Sequence, residues 1–180
     1  MDEKKFRKLS GKEKRLVVLN DAIEQVLIGK YAASPGDFAF ADAPGQEYPF
    51  GPLLPYGPED KIPKAAFDKR TTCHVCAKGA VAVSALRTGN LNVYGYGEMA
   101  SRLEGIFPRK LLSDMEETFE SELDGLDEQA RLYATLDAAK RLPFKMPKRS
   151  EVEPAFKKAL KAYKNKIKRR KLAAKKRAKK

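Results

Sequence analysis

Residues Thr71–Arg87 read TTCHVCAKGAVAVSALR, and they hold both cysteines, the single histidine and the longest nearly uncharged run of the 180-residue chain. Cys73, Cys76, Ala77, Ala80 and Ser84 recur at i, i+3, i+4, i+7 and i+11. That spacing predicts a helix with one face almost free of side-chain bulk, which a neighbouring helix can approach closely. Val75, Val81, Val83 and Leu86 fill the other positions, and a helix apolar nearly all round belongs at the centre of a domain. A strand over 80–86 is the competing reading, because valine is β-branched. The small-residue face exists only at a helical period, which favours the helix.

Upstream, Ser10 and Glu13 have the S-x-x-E spacing of a capping box. Leu16, Leu19, Ile23, Val26 and Leu27 follow at helical spacing, so a helix is expected over about 11–29, stopped by Gly29. Residues 1–9 are charged and are expected to fray. Residues 32–70 carry seven prolines and four glycines, which excludes long regular elements. Phe38, Phe40, Tyr48, Phe50, Tyr56 and Phe67 are scattered through the same stretch. Low-complexity linkers lack such rings, so the expectation is a long loop pinned to the domain by them. A structural wrap is the plainer role for it and a lid or protein-binding loop the sharper one. Asp68 or Thr71 is the expected cap that ends it.

Downstream, Gly89–Asn90 reads as a turn, LNVYGYG as a short strand or aromatic turn, and EMASRLEGIF as a short helix. Pro108 suits the first position of the next helix, in which Leu111, Met115, Phe119 and Leu123 repeat at i+4. Leu126–Leu142 continues through Ala130, Tyr133 and Leu136, and the short Asp124–Gly125 connection predicts an antiparallel helical hairpin. Residues 143–149 read as a linker. Ser150 and Glu153 form a second capping box opening a last helix, with Val152, Phe156, Leu160, Tyr163 and Ile167 on its apolar stripe. The expected fold is therefore mainly α: a helical core domain over 10–142, containing the 32–70 loop, and a basic helical arm over 150–180.

Charge is distributed unevenly. The last 26 residues hold fourteen Lys and Arg and no acid, leaving 37 − 14 = 23 bases against 24 acids in residues 1–154. The net charge of +13 thus belongs to the arm. Lys157, Lys158, Lys161, Lys164, Lys166, Lys168, Arg169, Arg170, Lys171, Lys175, Lys176, Arg177, Lys179 and Lys180 would neutralise phosphates and release counterions. Nucleic acid, DNA or RNA, bound without regard to sequence is the expected partner, since no recognition-helix, RNA-recognition or zinc-finger motif accompanies the arm. Competing readings fold the arm onto the acidic 114–128 segment, lay it on an anionic membrane, or give it a role in solubility alone. The sequence has no visible signal peptide and its longest apolar run, Gly79–Leu86, is too short for a membrane span, so a cytoplasmic protein is expected.

Cys73, His74 and Cys76 are the weak candidates for a thiol or metal site. A C-x-x-C at a helix N-terminus would place two sulfurs together in a favourable dipole. Four ligands are needed for structural zinc, and the chain has no second cysteine pair and no second histidine. Small buried cysteines behaving as hydrophobes, with no cofactor, are the preferred reading. Glu116, Glu117, Glu120 and Glu122 form an acidic cluster without the Glu-x-x-His partner of a di-metal site, so a solvated helix face is expected. Gly95-x-Gly97 lacks the Lys-Ser/Thr ending of a phosphate loop. No catalytic residue is assigned, and a non-enzymatic role follows.

C-x-V-C-A-x-G-A (Cys73–Ala80), AIEQVLIGKY (Ala22–Tyr31) and L-x-x-I-F…E-x-x-F (Leu103–Phe119) together resemble a family of small proteins from tailed phages and bacteria. The resemblance covers about residues 15–140 and implies no particular activity, cofactor or catalytic residue. It implies a phage or bacterial setting, and it does not extend to the basic arm.

Overall fold

A computed structural model describes residues 3–42, 50–52, 54, 67–68, 71–89, 101, 103 and 105–177. Tyr48, Tyr56, the Asn90–Gly97 stretch, half of the expected 98–107 helix, Lys179 and Lys180 lie outside the described residues. The chain is mainly helical, with a small sheet at its centre.

The capping signals near the N-terminus operate as expected, but the stretch expected to fray does not do so over Glu3–Arg7, which is helical with Phe6 buried in the core. After a one-turn α1 (Glu3–Arg7), Ser10 caps α2 (Gly11–Leu27) in a complete capping box. The Ser10 amide donates to Glu13 at 2.8 Å, and the Glu13 amide donates back to Ser10 Oγ at 3.3 Å. Gly29, at φ +74°, turns the chain out of the helix into β1 (Tyr31–Ala33). The buried face of α2 runs through Arg15, Val18, Leu19, Ala22, Ile23 and Val26, whereas Leu16 and Leu27 are only half-buried.

Thr71–Arg87 is not one helix. Cys73–Val75 forms a strand, β4, parallel to β1 and antiparallel to β2 (Ala39–Asp42), which in turn pairs with β3 (Phe50–Pro52). The strand order is β1-β4-β2-β3. Only from Ala77 does the chain become α3 (Ala77–Thr88), with Cys76 as N-cap. Three residues are too few to display a period, so pairing with two distant strands overrides the helical spacing of Cys73 and Cys76. Neither Asp68 nor Thr71 is the N-cap of α3. Their carbonyls instead accept from the ammonium of Lys30, which is 4% exposed and bonds Thr71 O at 2.7 Å. The expectation for 77–88 holds: every residue of α3 but Lys78 and Arg87 is buried.

Sheet and helix meet at unusually short range. Ala39 pairs with Val75 and Ala41 with Cys73, so the buried face of β2–β4 is lined by small groups. A Cβ on Gly79 would lie 1.4 Å from the Phe38 carbonyl oxygen. α3 therefore rests on β2 backbone, which only glycine permits at this position. On its other side α3 packs mainly on α2, tied to it by Arg87 to Asp21 at 3.0 Å, and its Ser84 Oγ meets the Tyr31 hydroxyl of β1 at 3.0 Å.

Pro108 precedes α4 (Arg109–Glu117) as its N-cap, and a π turn, Thr118–Glu122, extends it. An exact four-residue repeat runs ahead of an α-helix by about 40° per step. The wider turn, closed by Leu123 N–H to Thr118 O at 3.1 Å, turns Leu123 into a separate buried cluster with Ala130, Ala134 and Val152, whereas Leu111, Met115 and Phe119 join the main core. α5 (Glu128–Ala138), capped by Asp127, meets this element mainly at the π turn. It packs more extensively on α2 and on α6 (Arg149–Arg177). Two α5 side chains organise backbone elsewhere. Gln129 completes the free edge of β1, accepting from Ala33 N–H at 2.9 Å and donating to Tyr31 O at 2.6 Å. Arg131, 3% exposed, donates to the carbonyls of Phe119 and Glu120 and to Asp124.

Candidate nucleic-acid interface

α6 is one 29-residue helix, about 44 Å long at an ordinary helical rise. It begins at Arg149, so Ser150 lies inside the first turn and the second capping box does not form. Arg149 instead donates to the Glu122 and Asp124 carbonyls at 2.8 and 2.7 Å, holding the start of α6 against the end of the π turn. Val152 is buried with Leu123, Ala130 and Ala134, and the Phe156 ring lies 5.6 Å from that of Tyr133. Tyr163, half-buried, donates its hydroxyl to Glu24 at 3.1 Å. The first half of α6 is therefore a docked element of the domain, and Tyr163 is engaged in that docking.

Beyond Ile167 the helix leaves the core, and residues 168–177 are all exposed. Lys157 pairs with Glu153 at 3.2 Å. From Lys158 to Arg177 no lysine or arginine has an ion pair among the described residues, and none reaches the acidic 114–128 segment. Lys164, Lys168, Lys171 and Lys175 fall at i, i+4, i+7 and i+11, forming a single cationic face with Ile167 and with Leu172, which is 52% exposed. Like charges at these spacings repel, and no carboxylate on α6 relieves them beyond Glu153.

The thiol candidates do not converge. Cys73 is fully buried on the inner face of β4, and His74, half-exposed, sits on the opposite face of that strand. Cys76 is the N-cap, its Sγ accepting from Gly79 N–H at 3.4 Å. Burial pushes its thiol up to about 11, overcoming the amide hydrogen bonds from Gly79 and Lys78. A thiol so held is protonated near neutrality and is a poor nucleophile or metal ligand. Among the described residues no group of three His, Cys, Asp or Glu is placed to hold a metal ion.

Part of the acidic cluster is structural rather than simply solvated. Glu116 pairs with Lys78, and Glu120 accepts from Gly36 N–H at 3.0 Å while burial raises its carboxyl. Glu117 and Glu122 are exposed, as expected of a solvated face. In the 32–70 stretch, Phe38 packs on the core, whereas Phe67 is 47% exposed. Lys30, Gln129 and Arg131 were not signalled by the sequence. Their partners are main-chain groups tens of residues away, apart from those Arg131 finds in the preceding turn, and no spacing rule encodes them.

No protein-family model, curated protein or solved structure matches the chain. Among the described residues no helix is long and apolar enough to cross a membrane.

Proposed function

We propose that the chain is a non-enzymatic accessory protein that holds nucleic acid, free or within a ribonucleoprotein, on the cationic face of α6. The observation that carries this reading is the division of α6. Its apolar half docks on α2 and α5, and its charged half projects with Lys164, Lys168, Lys171 and Lys175 on one face and without ion pairs among the described residues. Neutralising those charges with backbone phosphates releases counterions and removes the repulsion along the helix. The contact is electrostatic, so DNA and RNA are both bound and sequence matters little.

The test uses the full chain, because deleting residues from Ala155 onward would also remove the docked Phe156 and Tyr163. Four substitutions, Lys164→Gln, Lys168→Gln, Lys171→Gln and Lys175→Gln, are combined and compared with the parent by fluorescence anisotropy on a labelled duplex across a salt series. Removing four phosphate contacts should flatten the slope of log affinity against log salt by about 3–4. An unchanged slope and affinity would refute the assignment.

A further inference from the structure

The geometry points to a second, separate site: a cleft between the N-termini of α2 and α4 that binds the phosphate group of a small phosphorylated ligand or of free phosphate, through Arg15, Lys12 and Arg109. It lies at the opposite end of α2 from Glu24, where α6 docks, and it does not depend on the arm.

Arg15 is the central observation. It is 7% exposed, yet it makes no hydrogen bond or ion pair among the described residues, and its Nε is buried without any partner. The contrast with Arg131 is direct, since that equally buried guanidinium is saturated by two carbonyls and a carboxylate. A buried cation with nothing to pair with is costly, and a fold keeps it when the missing partner arrives from outside. Helical side chains lean toward the N-terminus, so Arg15 lies over position 11 and borders the cleft with Gly11.

The surroundings supply the rest of an anion site. The cleft, about 380 Å³, is bordered by Gly11, Lys12, Arg15, Gly105, Phe107 and Arg109, among others. That volume suits a small molecule rather than a polymer groove. α4 begins at the cleft with no side-chain cap on its first turn, so its leading amide groups and positive dipole end are available to an anion. Gly11 is held against the backbone of the opposite wall, for a Cβ there would meet the Gly105 carbonyl oxygen at 2.5 Å. The nearest carboxylate on α2, Glu13, is occupied by the Ser10 capping box and does not neutralise Arg15. Three cations and an uncapped helix end thus border one half-open cleft.

Titration calorimetry of the full chain with inorganic phosphate, at ionic strength matched with chloride, tests the site. Arg15→Met should weaken phosphate about ten-fold or more, the loss of a charge-assisted hydrogen bond. Its melting temperature without phosphate should equal or exceed the parent's, since an unpaired buried charge is gone. Arg109→Gln, at an exposed position, should weaken binding several-fold without disturbing the fold. The four-fold lysine-to-glutamine arm variant should bind phosphate like the parent, which separates this site from the arm. Adenosine monophosphate binding more tightly than phosphate would identify a phosphomonoester ligand, and equal affinity would identify phosphate itself. Binding that survives in both Arg15→Met and Arg109→Gln, that disappears in the arm variant, or that is matched by adenosine without phosphate would overturn the assignment.

Discussion

α3 and the outer half of α6 are both helices of ten or so residues, and they are opposite solutions. α3 is nearly uncharged, buried on all sides, and seated against strand backbone at a distance that a single methyl group would violate. The outer half of α6 is exposed and carries a row of cations. Tight packing is concentrated where side chains are small and space is absent, whereas the proposed binding surface lies where cations are exposed. Substitutions in the two helices should therefore act on different observables.

The largest effect expected is in α3. Gly79→Ala drives a Cβ into the Phe38 carbonyl, so strand and helix must separate, at a cost of about 3 kcal/mol or more by chemical denaturation. Affinity of the folded fraction for nucleic acid should be unchanged. A neutral Gly79→Ala would mean that α3 does not rest on β2 as described.

The N-cap of the same helix makes a pH prediction. Cys76 is held protonated up to about 11, above the ordinary thiol value of 9. Between those values the unfolded chain releases the proton and the folded chain keeps it, so stability is full below pH 9 and is lost as pH rises toward 11. Denaturation midpoints measured across that window should fall more for the parent than for Cys76→Ser. Native-state thiol labelling at neutral pH should be slow at both cysteines. Rapid labelling of Cys76 would contradict its burial.

Ala80→Leu comes next. Ala80 is fully buried, and the added bulk should cost roughly 1–3 kcal/mol by overpacking. Its readout against Gly79→Ala separates crowding by side chains from crowding by backbone.

Much of this contrast is legible in the sequence, and the parts that are not have physical causes. Helix α2, its capping box, the buried character of 77–88 and the charge of the arm rest on local spacing, which a sequence displays. The strand at Cys73–Val75 depends on β1 and β2, and a three-residue element carries no periodicity of its own. The split of α6 into docked and projecting halves follows from its apolar stripe, which ends at Ile167, but the Tyr163–Glu24 contact needs the fold. Arg15 left a signal that spacing could have caught. With Leu19, Ala22 and Val26 it completes a core-facing stripe, a place where a cation is out of order unless it has a task.

The smallest effect on stability, and the one of opposite sign, belongs to the arm. Lys164, Lys168, Lys171 and Lys175 make three like-charge neighbours along one helical face, each destabilising by about 0.2–0.5 kcal/mol at low salt. Replacing all four with glutamine keeps helix propensity close to that of lysine and removes the repulsion. The variant should unfold at the same or slightly higher denaturant concentration, by no more than about 1 kcal/mol, while losing affinity for nucleic acid. Circular dichroism should report the same relief in the parent when a polyanion is added: helicity gained by the parent at low salt, and little gained by the variant. A variant that is markedly less stable would place these lysines in a contact within the fold, and the outer half of α6 would then belong with α3 as structure rather than as a binding surface.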